Sequence, residues 1–177
     1  FQQRNTNSSI EESIGRVEAI QKLCQHQNKE LVIYLSMGFG NPYGDAYNED
    51  ILLHWADEMV KWGITTISLA DTVGLATPEQ ISFALQTLIP QYPAVTIGVH
   101  LHATADSWKP KLEAAINAGC RRIDGALLGI GGCPMAGNDL VGNMNTDWIL
   151  SFLEASKINT GVNREAYQKS LHLAKET

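Results

Sequence analysis

Residues 129–143 read GIGGCPMAGNDLVGN, a thiol set in a glycine-rich loop with an amide side chain ten residues further on. Glycines before Cys133 and Pro134 after it deny the thiol a regular element. An exposed thiol is a liability unless it is used, so Cys133 is a candidate catalytic group. His100 and His102 stand two apart in an apolar run, so on a strand both imidazoles face one side. Such a pair can grip one divalent metal; it can equally be two satisfied polar residues at a strand mouth. Asn143, just before a helix start near Thr146, is either a cap or a neutral oxygen ligand. An amide oxygen beside two imidazoles suits Mg²⁺ or Mn²⁺ better than structural zinc, which would prefer the thiol. Asp71 with Thr72 ends another apolar run, where a cap or turn role also accounts for it, and Ser36 ends a third.

These residues need a scaffold, and the chain alternates in a way that supplies one. ELVIYLS (30–36), TTISLAD (65–71), AVTIGVHLH (94–102) and RRIDGALLG (121–129) are β-rich apolar runs. Between and after them, helices are expected at about 10–26, 49–62, 78–91, 108–118, 146–157 and from about 164. Thr77-Pro78 with Gln80 forms a capping-box start, and Gly63 and Gly119 supply stops. Strands separated by helices at roughly 30-residue intervals mean βαβ units and a parallel sheet. A doubly wound sheet and a (β/α)8 barrel both fit; no G-x-G-x-x-G follows the first strand to favour the former. The polar residues interrupting the runs all lie at their C-terminal ends, where parallel α/β folds build sites. Lys109 and Lys111, just beyond the H-x-H strand, are expected on a solvated helix face. Asp124 can pair with Arg121 or Arg122. Cys24 and Cys120 are expected as small core hydrophobes.

Composition narrows the class. The chain has 177 residues, 44% of them apolar, enough for one sizeable core. A net charge of −6 with no basic stripe argues against a nucleic-acid surface, although a few local cations can still hold an anionic substrate. Three cysteines without a pairing pattern fit a reducing compartment. No apolar run approaches the ~18 residues of a membrane span, and no signal peptide is visible.

The ordered set of motifs resembles the 3-hydroxy-3-methylglutaryl-CoA lyases, within the metal-dependent lyase and synthase (β/α)8 barrels. GIGGCP is similar to their signature loop and VHLH to the metal-binding seventh strand. ISLADTVG is similar to the sixth strand, GNPYG to the loop after the fifth, and RNTNSSIEESIGRVEAI to the helix after the fourth. The resemblance implies His100, His102 and Asn143 as metal ligands and Cys133 as a catalytic thiol, with Asp71, Thr72 and Ser36 as substrate-binding residues. It also implies a divalent cofactor, Mg²⁺ or Mn²⁺, and an acyl-CoA substrate cleaved to acetyl-CoA and acetoacetate. A homodimer is implied too, in the cytoplasm of a bacterium or the mitochondrial matrix of a eukaryote. A fourth ligand, an aspartate beside an arginine on the first strand, has no counterpart in these residues.

Three positions depart from the family pattern. Ala103 stands where an aspartate usually follows H-x-H, Asn41 replaces the cysteine of a Cys-Pro-Tyr loop, and the Cys133–Asn143 interval is one residue longer. The nearest alternative is a Claisen-condensing synthase of the isopropylmalate or homocitrate type, which typically carries Gly-Glu in the loop. The 177 residues are expected to form a single, incomplete barrel domain lacking the N-terminal strands. Alone they are expected to be inactive, with an interior lined by Val, Ile and Leu.

Overall fold

The computed structural model describes residues 1–132 and 141–176. Helix starts are fixed by side chains that accept from backbone amides left free in the first turn. The short α1 (Gln2–Thr6) is followed by α2 (Ile10–His26), whose Ser9 and Glu12 cap each other reciprocally. Asn48 accepts from Ile51 N to open α3 (Glu49–Lys61), and Thr77 with Gln80 forms the anticipated capping box of α4 (Pro78–Gln91). α5 spans Trp108–Asn117; α6 (Thr146–Ala155) and α7 (Arg164–Ala174) begin on Asn145 and Asn163. No helix among the described residues is long and apolar enough to cross a membrane.

Four strands, β1 (Val32–Leu35), β2 (Thr66–Ala70), β3 (Thr96–His100) and β4 (Ile123–Asp124), pair in parallel in the order of the chain. The register sets Ile33 beside Ile67, Ile67 beside Ile97, and Val99 beside Ile123. Because strand side chains alternate, all of these face the helices. There Leu52, Ala56 and Met59 of α3, Ile81, Leu85 and Leu88 of α4, and Leu112 and Ala115 of α5 close one core over them. A curved parallel sheet with its helices on one side, strands in sequential order, is a run of consecutive units of a (β/α)8 barrel.

Two expectations need correction. The apolar run 121–129 yields a strand of only two residues, Ile123–Asp124, followed by a 3-10 turn at Leu127–Gly129 in which Leu128 has a φ of 59°. Gly125 packs there under Ile149 and Met144 O, so the chain leaves the sheet to let α6 approach. The inner face, expected to be Val, Ile and Leu, is polar. Tyr34 Oη and Ser68 Oγ both donate to Asp124 Oδ2, at 2.9 and 3.0 Å, and the Arg122 guanidinium lies 3.2 Å from Oδ1. Ile33, Leu35, Ile67, Leu69, Ile97 and Val99 sit at odd positions of β1 to β3 and therefore face outward to the helices; of the branched apolar residues of these strands, Val32 alone shares the even, inner face.

Gly98, buried on β3 between these rows, shows how closely the layer is packed. A Cβ there would sit 2.8 Å from Arg122 O and 2.9 Å from two Arg122 side-chain carbons. Backbone cannot yield as a flexible tip does, so Gly98→Ala is expected to lower stability by about 1–3 kcal/mol, measured by urea denaturation. A variant as stable as the parent would show that β4 slides freely against β3.

Candidate metal centre

The C-terminal ends of β2 and β3 and the segment before α6 meet at one end of the sheet. Met144 N donates to Leu101 O at 2.9 Å and Ala103 N to Gly142 O at 3.1 Å, so residues 142–144 are stitched antiparallel along 101–103. This sets Asn143 opposite His102. The His100 and His102 rings lie 5.2 Å apart between centroids, edge to face. The Asn143 side chain is near enough to the His100 ring to favour its protonated form. The structure thus brings together the three residues expected to hold a metal.

Each group has a lone pair to offer. His102 is buried, and its Nδ1 lies 2.6 Å from Asp71 O. A carbonyl only accepts, so Nδ1 carries the proton and Nε2 is left with its lone pair. His100 Nδ1 is buried and without a hydrogen-bond partner among the described residues. Burial, and then the neighbouring His102, hold the His100 pKa below the ordinary imidazole value, keeping the ring neutral; Asp124, Asn143 and Asp71 oppose this more weakly. Asn143 Nδ2 donates to Ile130 O at 2.8 Å, which fixes the amide and leaves Oδ1 to accept. At Gly131 (φ 89°) an added Cβ would lie 2.9 Å from Asn143 Nδ2, so the glycine makes room for that amide. Two imidazoles and one amide oxygen fit a borderline or hard divalent ion. No group of three or more His, Cys, Asp or Glu placed to hold a metal occurs among the described residues.

The other candidates are placed differently. Asp71 is 1% exposed, with Oδ1 accepting from Ala76 N at 2.9 Å and Oδ2 from Lys111 Nζ at 2.7 Å. Lys111, expected on a solvated helix face, is instead 4% exposed and donates as well to Gly74 O and His102 O. The reason is its register: Lys111 lies one turn from both Trp108 and Ala115, on the stripe by which α5 meets the core. That spacing was the available signal, hidden by the usual preference of lysine for water. Lys109 is exposed, as expected. Thr72 Oγ1 accepts from Met37 N at 2.8 Å and ties the β1 loop to the β2 loop. Ser36 lines a groove of about 450 Å³ between α2, β1 and α3, shared with Tyr34, Tyr47 and Trp55 and separate from the histidines. Asn41 accepts from Tyr43 N and Asp45 N and so makes the turn of its loop. Of the two arginines beside Asp124, Arg122 is its partner; Cys120 is buried and Cys24 partly so. Cys133 lies outside the described residues.

The chain is similar to known proteins in sequence and in fold. A family model described as HMGL-like matches residues 1–173. The cytoplasmic 3-hydroxy-3-methylglutaryl-CoA lyase of Homo sapiens is 32% identical over 92% of this chain and 44% of that protein. Hydroxymethylglutaryl-CoA lyase YngG of Bacillus subtilis is 32% identical over 92% of this chain and 54% of its own length. The chain spans about half the length of the curated relatives it matches. The crystal structure of the Bacillus subtilis HMG-CoA lyase superposes with a TM-score of 0.88 at 30% identity, covering 98% of this chain and 58% of that one. An HMG-CoA lyase from Acinetobacter baumannii, in complex with coenzyme A and 3-methylmalate, superposes with a TM-score of 0.80 at 26% identity, covering 93% and 53%.

Proposed function

The chain belongs to the HMGL-like family, and from that premise we propose that its protein is a carbon–carbon lyase that cleaves 3-hydroxy-3-methylglutaryl-CoA to acetyl-CoA and acetoacetate. The observation that carries the reading is the convergence of His100, His102 and Asn143 at the strand ends, each with an uncommitted lone pair. These three side chains would hold Mg²⁺ or Mn²⁺. The ion would supply Lewis acidity toward the tertiary hydroxyl of the substrate. The first-strand aspartate implied by the family would complete the ligand set from sequence outside these residues, so the 177 residues alone are expected to lack activity.

The reaction is a retro-Claisen cleavage. The tertiary hydroxyl gives its proton to a base, and its oxygen becomes the ketone oxygen of acetoacetate as the bond between its carbon and the thioester α-carbon breaks. The electron pair of that bond leaves as the acetyl-CoA enolate, which then takes a proton. We assign that proton to the Cys133 thiol, whose ordinary pKa near 8.5 makes it a workable acid at neutral pH. Asp71 and Thr72 contribute by holding the strand-end loops; Ser36 is assigned to the substrate from its place at the C-terminal end of β1 and the family resemblance. A coenzyme A site is supported by the ligand of the Acinetobacter structure. A homodimer and a cytoplasmic location, or a mitochondrial matrix one in a eukaryote, complete the proposal.

The test is a product assay with the full-length protein and Mn²⁺. Acetoacetate released from 3-hydroxy-3-methylglutaryl-CoA is the expected result. Condensation of acetyl-CoA with a 2-oxo acid, without acetoacetate release, would move the protein to the synthase branch of these barrels.

A further inference from the structure

The buried ion pair between α5 and the end of β2 has a geometry that a simple staple would not need. The Lys111 ammonium has three N–H groups and donates all of them: to Asp71 Oδ2 at 2.7 Å, Gly74 O at 2.9 Å and His102 O at 3.0 Å. Asp71 in turn is joined to β3 on both sides of its own Cα. Its N–H donates to His100 O at 2.9 Å, and its carbonyl accepts from His102 Nδ1 at 2.6 Å. The bonds close a circuit. Lys111 holds the Asp71 carboxylate, Asp71 holds the His102 ring, and Lys111 also holds the His102 carbonyl. His102 is therefore gripped at its backbone and at its ring by one linked set of partners, with 4% or less of Asp71, His102 and Lys111 exposed.

We propose that Lys111, through Asp71, is a positioning residue that fixes the tautomer and orientation of His102, so that Nε2 faces the metal. This rests on the reading of His100, His102 and Asn143 as ligands. A metal-bound imidazole depends on the partner of its second nitrogen, and that partner has to stay in place. Here the partner is a main-chain carbonyl just past a strand end, which also accepts from Gly74 N at 3.1 Å within its own turn. The ion pair ties that turn to α5: it anchors the side chain of the residue whose carbonyl does the orienting. Ala103, next in the chain to His102, has no polar group that could do so instead. The remaining carboxylate oxygen accepts from Ala76 N, so the turn at residues 72–76 is locked by the same residue.

The experiment compares Mn²⁺ binding in the full-length protein, Lys111→Met, the double variant Lys111→Met/Asp71→Asn, and His102→Ala. Free Mn²⁺ is read by electron paramagnetic resonance, with metal-free thermal unfolding as the check on folding. Lys111→Met strands a buried carboxylate and can fail to fold; the double variant buries no unpaired charge and carries the test in that case. The expected result is Mn²⁺ affinity about 10–100-fold weaker in the folded Lys111 variants, the loss typical of an outer partner of a ligand. With it, the His102 Nδ1–H resonance in nitrogen-edited proton spectra of the metal-free protein should weaken or vanish. Parental Mn²⁺ affinity and an intact Nδ1–H signal in the folded double variant would overturn the inference and leave the metal reading standing. Absence of Mn²⁺ binding by the parent would overturn both.

Discussion

Replacing His102 with alanine should abolish measurable divalent-metal binding and, with it, cleavage of the thioester. The imidazole is one of three side-chain donors brought together at this end of the sheet among the described residues, and its Nε2 is free because Nδ1 is bonded to Asp71 O. Losing an outer partner of a metal ligand costs about 10–100-fold in affinity, and losing the ligand itself costs more. Stability will also fall, by about 1–3 kcal/mol, because one of the two hydrogen bonds to Asp71 O is lost, leaving only that from Gly74 N, and a buried ring is removed. The two effects separate in the metal-free protein. Its thermal unfolding should drop by a few degrees while staying cooperative, whereas Mn²⁺ should no longer raise the transition. A variant that still gains stability from Mn²⁺ as the parent does would remove His102 from the ligand set.

Exchange of Cys133 for serine should have the opposite signature: metal and substrate bound as before, turnover lost. A thiol near pKa 8.5 can give a proton to an enolate at neutral pH, whereas an alcohol is far weaker as an acid. General acid catalysis is worth roughly 10²–10⁴-fold, so kcat should fall within that range while KM and Mn²⁺ affinity stay close to the parent. A proton delivered after carbon–carbon cleavage does nothing for the ground state. Cys133 is assigned from its residue type and from the GGCP sequence around it. Near-normal turnover in the variant would place the proton donor elsewhere.

Much of the scaffold could be read from the chain because its signals are local. The Ser9–Glu12 and Thr77–Gln80 boxes, the stops at Gly63 and Gly119, and the alternation of β-rich and amphipathic runs depend on residues only a few positions apart. The H-x-H spacing and the amide at 143 were legible for the same reason, helped by resemblance. What was missed depends on contacts distant in sequence. Lys111 meets Asp71 across 40 residues, and nothing near either one announces the other. The polar interior escaped notice because Tyr34, Ser68 and Asp124 sit on three strands and become neighbours only once the register is set. The fourth strand was drawn too long because Ala126, Leu127 and Leu128 continue the run past Gly125, while its end is decided by α6 closing over Gly125.

The order of the sheet also sets an order of events during synthesis. Each strand hydrogen-bonds to the one made just before it, Val32 beside Thr66, Thr66 beside Thr96, Val99 beside Ile123. At roughly 5–20 residues per second a ribosome takes about a few seconds over each such unit, whereas helix formation and collapse are complete in microseconds. Every new strand therefore emerges to find its partner already formed, and each extends the sheet at the edge left by the one before. Asn143 reaches His102 from beyond β4, after the histidine strand and α5 are both in place. A nascent chain arrested at residue 132 would carry both imidazoles and the Asp71–Lys111 pair, but not the amide that completes the set.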